Sequence, residues 1–245
     1  MRKYLFLLTM VLACTMHAKT YVVIAGLCDY PGSRMDLWPV KDAQVMRKLY
    51  LDNGDSYVIT LADSTATLRK VYAGMRQAFS KAGKDDAIVF YFSGHGYRGG
   101  FFCYDGTITY EEIVNLMKKS KAKKKMVFAD ACYAGKARYT NERTDKKYNQ
   151  QIMFFLSSRT NERSLQLSSM ECSFFTKFLE EGLRGEADVD SDKKVSAREL
   201  FDFVHSHVDD YLHSRVLQSN DSVAQHPVMW GNFRDNMPVM DWSKK

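Results

Sequence analysis

The chain has 245 residues, 45% hydrophobic and 26% charged, with a formal net charge of +6. That length suits one α/β domain with a full core, and no Pro/Gly/Ser-rich linker divides it. The charge is mildly basic and mixed; its main cluster, residues 118–125, has no interleaved aromatics, so no nucleic-acid groove is expected.

Residues 1–18 read as a secretory signal peptide: Arg2 and Lys3 form a basic start, residues 4–16 an apolar run, and Ala18 a small residue suited to cleavage. The run is too short for a good membrane span, so no span is expected. Removing it takes Arg2 and Lys3 and lowers the net charge to +4. Residues 19–245 remain as a single secreted or periplasmic domain. A lipoprotein anchored at Cys14 competes with this, but Val11-Leu12-Ala13 is a poor lipobox and leaves almost no tether. Cys28, Cys103, Cys132 and Cys172 lack metal-site spacing and are too sparse for a disulfide scaffold.

Residues 21–26 (YVVIAG) form a first buried strand. Pro39 opens a helix whose apolar side is Val40, Ala43, Met46, Leu49 and Tyr50. Residues 57–61 are a second strand, and Ser64 is placed to cap a helix carrying Leu68, Val71, Tyr72, Met75 and Phe79. The run 87–92 (AIVFYF) is a third strand, ending in Ser93-Gly94-His95-Gly96. Gly99-Gly100 and Asp105-Gly106 then predict a small hairpin, and Thr109 with Glu112 a capping box opening a helix through Lys119. A fourth strand, 125–129, leads into Asp130-Ala131-Cys132-Tyr133-Ala134-Gly135. Residues 136–151 are polar and aperiodic and read as an exposed loop. After it come a strand at 152–156, helices at 173–183 and 196–212, and a short edge strand at 228–230. The alternation predicts a doubly wound, mostly parallel sheet with right-handed crossovers.

Two of the apolar strands end in Gly-flanked turns, one carrying an imidazole and the other a thiol. Ligands of open α/β sheets bind beyond the carboxyl ends of the strands, so neighbouring positions would bring His95 and Cys132 into one cleft. A thiol is a poor nucleophile until a base takes its proton, and His95 is the one histidine of six at a strand end between glycines. The backbone amides of Gly96 and Cys132 could hold an oxyanion. Read alone, either side chain is an ordinary strand-end residue, and Cys132 a small buried hydrophobe. Together they favour a cysteine nucleophile with its base.

These motifs, in this strand context, resemble the caspase-like cysteine peptidases, and among them the metacaspase-like and related bacterial branch. The likeness spans about residues 21–231. It implies an α/β/α sandwich on a mostly parallel six-stranded sheet, with Cys132 as nucleophile and His95 as base. It further implies that Asp42 and Asp130, with Ser93 beside them, line a pocket for Arg or Lys at P1. Paired carboxylates suit a cation and repel aspartate. For Asp42, a favourable charge in the first turn of a helix is a sufficient alternative. Tyr133-Ala134 stands where His-Ser is common in the branch, and Asp105, Glu111 and Glu112 match its calcium site only in part.

The reading is therefore an exported endopeptidase acting on proteins or peptides after Arg or Lys, with no required cofactor and calcium possible. Asp188, Asp190, Asp192, Ser196 and Glu199 fall at positions one, three, five, nine and twelve of an EF-hand-type loop, with Lys193 where glycine normally turns the chain. Ser196 and Glu199 equally make an ordinary capping box. Lys136, Arg138, Arg143, Lys146 and Lys147 would let such an enzyme process its own 136–151 loop. A catalytically silent caspase-like scaffold is the alternative. A phosphate-ligand domain is disfavoured because Gly26-Leu27-Cys28-Asp29 carries no glycine fingerprint.

Overall fold

The computed structural model describes residues 18–32, 36–37, 41–132, 151–159, 161–165, 171–216 and 224–243. The signal segment through residue 17, Pro39, Val40, Tyr133, Ala134 and the loop from residue 136 to 150 lie outside them. Among the described residues no helix is long and apolar enough to cross a membrane.

Six strands form the main sheet: β1 (Thr20–Gly26), β2 (Ser56–Ala62), β3 (Ala87–Ser93), β7 (Lys124–Asp130), β8 (Gln151–Leu156) and β10 (Val228–Asn232). Their order is β10-β8-β7-β3-β1-β2, all parallel except β10, which pairs antiparallel with β8 at the edge. Near-continuous β-branched and aromatic runs make the inner strands, because both faces are covered by helices. Helices α2 (Leu68–Phe79) and α3 (Tyr110–Lys118) cover one face, packing Val71, Met75, Ile113 and Met117 on Val23, Phe90, Phe92, Val127 and Phe154. Helices α1 (Asp42–Asn53), α4 (Phe174–Glu181) and α5 (Ala197–Tyr211) cover the other, packing Met46, Leu49, Phe175, Leu179 and Val204 on Val22, Ile24, Tyr91, Phe128 and Phe155. This is the expected α/β/α sandwich.

Several local expectations are corrected. Ser64 does not cap α2: Asp63–Thr65 form a 3-10 turn, and the Thr67 hydroxyl accepts from the Lys70 N–H at 3.3 Å. The hairpin after β3 is a three-stranded sheet of β4 (Gly96–Tyr97), β5 (Gly100–Cys103) and β6 (Gly106–Thr109). A two-stranded ladder of β9 (Lys194–Ser196) and β11 (Pro238–Asp241) was not anticipated, its strands being too short for periodicity to mark. The Thr109–Glu112 capping box forms as predicted. Its loss in Thr109→Ala should cost about 1 kcal/mol, read as a lower denaturation midpoint.

Candidate active site

Strands β3 and β7 are neighbours in register, with Ser93 opposite Asp130. Each chain then runs two residues further, to His95 and to Cys132, so the two lie at adjacent strand ends on the carboxyl side of the sheet. The Gly94 N–H extends the ladder by donating to the Asp130 carbonyl at 3.1 Å. His95 and Cys132 are both half-buried.

The backbone on the histidine side is held from three directions. The His95 N–H donates to Tyr30 Oη at 2.8 Å, its carbonyl accepts from the Phe102 N–H at 3.0 Å, and the Tyr30 and His95 rings lie 4.9 Å apart. Gly94 has φ +151°, and a Cβ there would fall 2.5 Å from Tyr30 Oη. Gly96 packs on the cysteine turn so closely that a Cβ would sit 2.3 Å from the Cys132 carbonyl oxygen. Gly96→Ala should therefore displace that turn, costing about 1–3 kcal/mol in chemical denaturation and abolishing any activity that needs Cys132 in place.

On the cysteine side, Ser157 and Ser158, just past β8, clamp the residue before the thiol. Ser157 Oγ accepts from the Ala131 N–H at 3.0 Å, and Ser158 Oγ donates to the Ala131 carbonyl at 3.1 Å. The Cys132 sulfur lies 4.0 Å from the Ser164 carbonyl oxygen. Burial pushes the thiol above its ordinary pKa, with the Asp130 charge adding to the rise and Arg163 opposing it. The resting group is thus the neutral thiol, which cannot attack a carbonyl until a base removes its proton.

Strand alternation explains the acids. Ser93 shares a face with Val89 and Tyr91, and Asp130 with Met126 and Phe128, which is the face covered by α1 and α4. Asp42, at the start of α1, is 1% exposed and accepts from Ser93 Oγ at 2.6 Å, Ser173 Oγ at 2.7 Å and the Ser173 N–H at 2.8 Å. Asp130, 4% exposed, accepts from Ser164 Oγ, from the Thr176 N–H at 3.1 Å and from Thr176 Oγ1 at 2.8 Å. Thr176 is in the first turn of α4, so the positive end of that helix faces the carboxylate. Among the described residues neither acid has a Lys or Arg partner. Burial raises Asp42, and burial with the Asp42 charge raises Asp130 to about 7 despite the Ser164 and Thr176 donors.

Because folding raises both groups above their unfolded values, the stability they contribute is complete below about pH 4. It is lost as the pH climbs through about 7. Thermal melts should fall from about pH 4 to about pH 7 through this pair, and Asp130→Asn should flatten the decline.

The sequence-predicted residues thus separate into groups. Ser93, His95, Gly96, Asp130 and Cys132 gather at the ends of β3 and β7, and Asp42 joins them from α1. Asp188, Asp190 and Asp192 present carboxylate oxygens within 4.8 Å of one another, with Lys193 at φ +65° making the turn. Glu199 is not in that group. Its oxygens accept from the Ser196 N–H at 2.9 Å and the Val189 N–H at 3.2 Å, closing the capping box of α5. Asp105 and Glu112 are likewise engaged locally, with the Leu68 N–H and with Thr109. Tyr30, Ser164, Ser173 and Thr176 escaped sequence reasoning.

A model of the caspase domain matches residues 19–237. The chain belongs to the caspase domain family. Solved structures agree with this at the level of the fold. Caspase-1 from Spodoptera frugiperda superposes with a TM-score of 0.66 at 14% identity, covering 91% of this chain and 89% of the other. The Geobacter sulfurreducens protein GSU0716 gives 0.64 at 16% identity, covering 91% and 98%. No curated protein matches the sequence. The caspase domain places the protein in a cysteine-peptidase family whose substrates are proteins.

Proposed function

We propose that this caspase-domain protein is an exported cysteine endopeptidase that cleaves after Arg or Lys, with Cys132 as nucleophile and His95 as general base. The observation that carries the reading is the Ser93–Asp130 register, since His95 and Cys132 each lie two residues beyond that pair on neighbouring strands. Export is supported by the basic start and apolar run of residues 1–18.

In this reading, Cys132 Sγ attacks the scissile carbonyl carbon as its proton passes to the His95 imidazole. The carbonyl electrons move onto oxygen, which the N–H groups of Gly96 and Cys132 receive. The imidazolium protonates the departing amine, leaving a thioester, and His95 then deprotonates the water that hydrolyses it. Cleavage specificity resides in Asp42 and Asp130, which Ser93, Ser173, Ser164 and Thr176 hold in place and which have no Lys or Arg partner among the described residues. A P1 guanidinium or ammonium would supply the missing charge.

The test is turnover of short fluorogenic peptides ending in Arg, Lys or Asp by the chain from residue 19. The reading expects Arg or Lys peptides to be cleaved and Asp peptides to be ignored. Cleavage after Asp would sink the pocket assignment, and no cleavage of any would leave a binding module. Processing within residues 136–151 is part of the same proposal. The Cys132→Ala chain should stay intact during expression while the wild type is cut after Lys136, Arg138, Arg143, Lys146 or Lys147. Equal cutting of both would remove self-processing.

A further inference from the structure

The segment that precedes β10 reaches back to the cleft and grips it through two consecutive side chains. Gln225 is polar yet only 1% exposed. Its Oε1 accepts from the Leu165 N–H at 2.8 Å, and because an N–H can only donate, this fixes the amide and leaves Nε2 to donate to Ser164 Oγ at 3.3 Å. Ser164 Oγ in turn donates to Asp130 Oδ1, and the Ser164 carbonyl is the group beside the Cys132 sulfur. His226 holds the same segment two residues before Ser164: its N–H and its Nδ1 each meet a carboxylate oxygen of Glu162 at 2.8 Å. Both ends of the buried amide are therefore spent on two successive residues, Leu165 and Ser164, and Ser164 is the one that meets both the thiol and the acid.

We infer that Gln225 is a positioning residue, acting through Ser164 to fix the orientation of the Asp130 carboxylate and to seat the segment beside Cys132. The inference rests on the reading of Asp130 as a P1-binding acid. An unfixed Ser164 would let its hydroxyl leave Asp130, and the carboxylate would have to be reoriented by each incoming cation. That loss falls on substrate binding, because the orienting donor is then assembled at the expense of the P1 contact. Nothing in the chain of contacts requires Gln225 to touch substrate.

The experiment is steady-state kinetics on an Arg-ended peptide with wild type, Gln225→Met, Ser164→Ala and the double variant, each checked for folding by thermal melting. Gln225→Met keeps the length and removes both hydrogen-bonding groups. It should raise KM about tenfold, the cost of a hydrogen bond to a charged group, with kcat changed by less than about threefold. Ser164→Ala should do the same, and the double variant should be little worse than either, since the two act as one unit. Should Gln225→Met not fold, Gln225→Asn, whose amide falls one methylene short, carries the same expectation. An active wild type whose KM is unmoved by the Gln225 variant, or KM increases that multiply in the double variant, would overturn the inference alone. A wild type that cleaves neither Arg nor Lys peptides removes the parent reading and this one with it.

Discussion

Cys132→Ala should lower kcat/KM on an Arg-ended peptide by about 10⁴-fold or more, and His95→Ala by a comparable factor, with the double variant no worse than the single ones. The thiol is buried enough to be held protonated, so without the imidazole it has no route to the thiolate. Both side chains are half-buried at strand ends, outside the two hydrophobic clusters. Their removal should therefore change the denaturation midpoint little, within about 1 kcal/mol. Activity that survives either change at near wild-type level would contradict the roles given to this pair.

The second large effect is expected at the acids. Asp130→Asn keeps the shape of the side chain and most of its hydrogen bonds but removes the charge that would meet the P1 cation. Losing one partner of a buried, hydrogen-bonded charge pair costs about 2–5 kcal/mol, so kcat/KM for Arg or Lys peptides should fall roughly a hundredfold or more. A peptide with neutral citrulline at P1 should hardly notice the substitution. The pH dependence follows from the direction of the shifts. Only the ionised pair attracts a cation, and burial with mutual repulsion raises Asp130 to about 7. Wild-type kcat/KM should then climb as the pH rises toward neutrality, and Asp130→Asn should lose that limb. The same pair makes the resting protein less stable over the interval in which it becomes better at binding, a trade expected of preorganised charge.

Much of this was legible because the inner strands are unbroken apolar runs. Period-two alternation puts Asp130 on the same face as Cys132, whereas Ser93 beside the acids was implied by the family resemblance and its place opposite Asp130 comes from the strand register. Asp42 was named through the family resemblance, with a helix-start charge as the alternative, and its burial at 1% exposure was not legible. What could not be read were the donors. Ser164, Ser173 and Thr176 are common polar residues whose role depends on where irregular segments return, and neither spacing nor charge marks them. Tyr30 sits in an aperiodic stretch after β1 and reaches His95 only because β1 and β3 are paired. Gln225 belongs to no motif or periodic run that would mark it. Ser64 was named as the cap of α2, but the 3-10 turn at Asp63–Thr65 takes it up and leaves Thr67 to cap the helix.

The most direct test is intact-mass and peptide-mapping mass spectrometry after exposure to an Arg-directed thiol-reactive peptide. The mechanism predicts one adduct, on Cys132, formed by the wild type and suppressed in His95→Ala and Asp130→Asn. Modification spread over Cys28, Cys103 or Cys172, or a Cys132 that reacts equally well without His95, would contradict it.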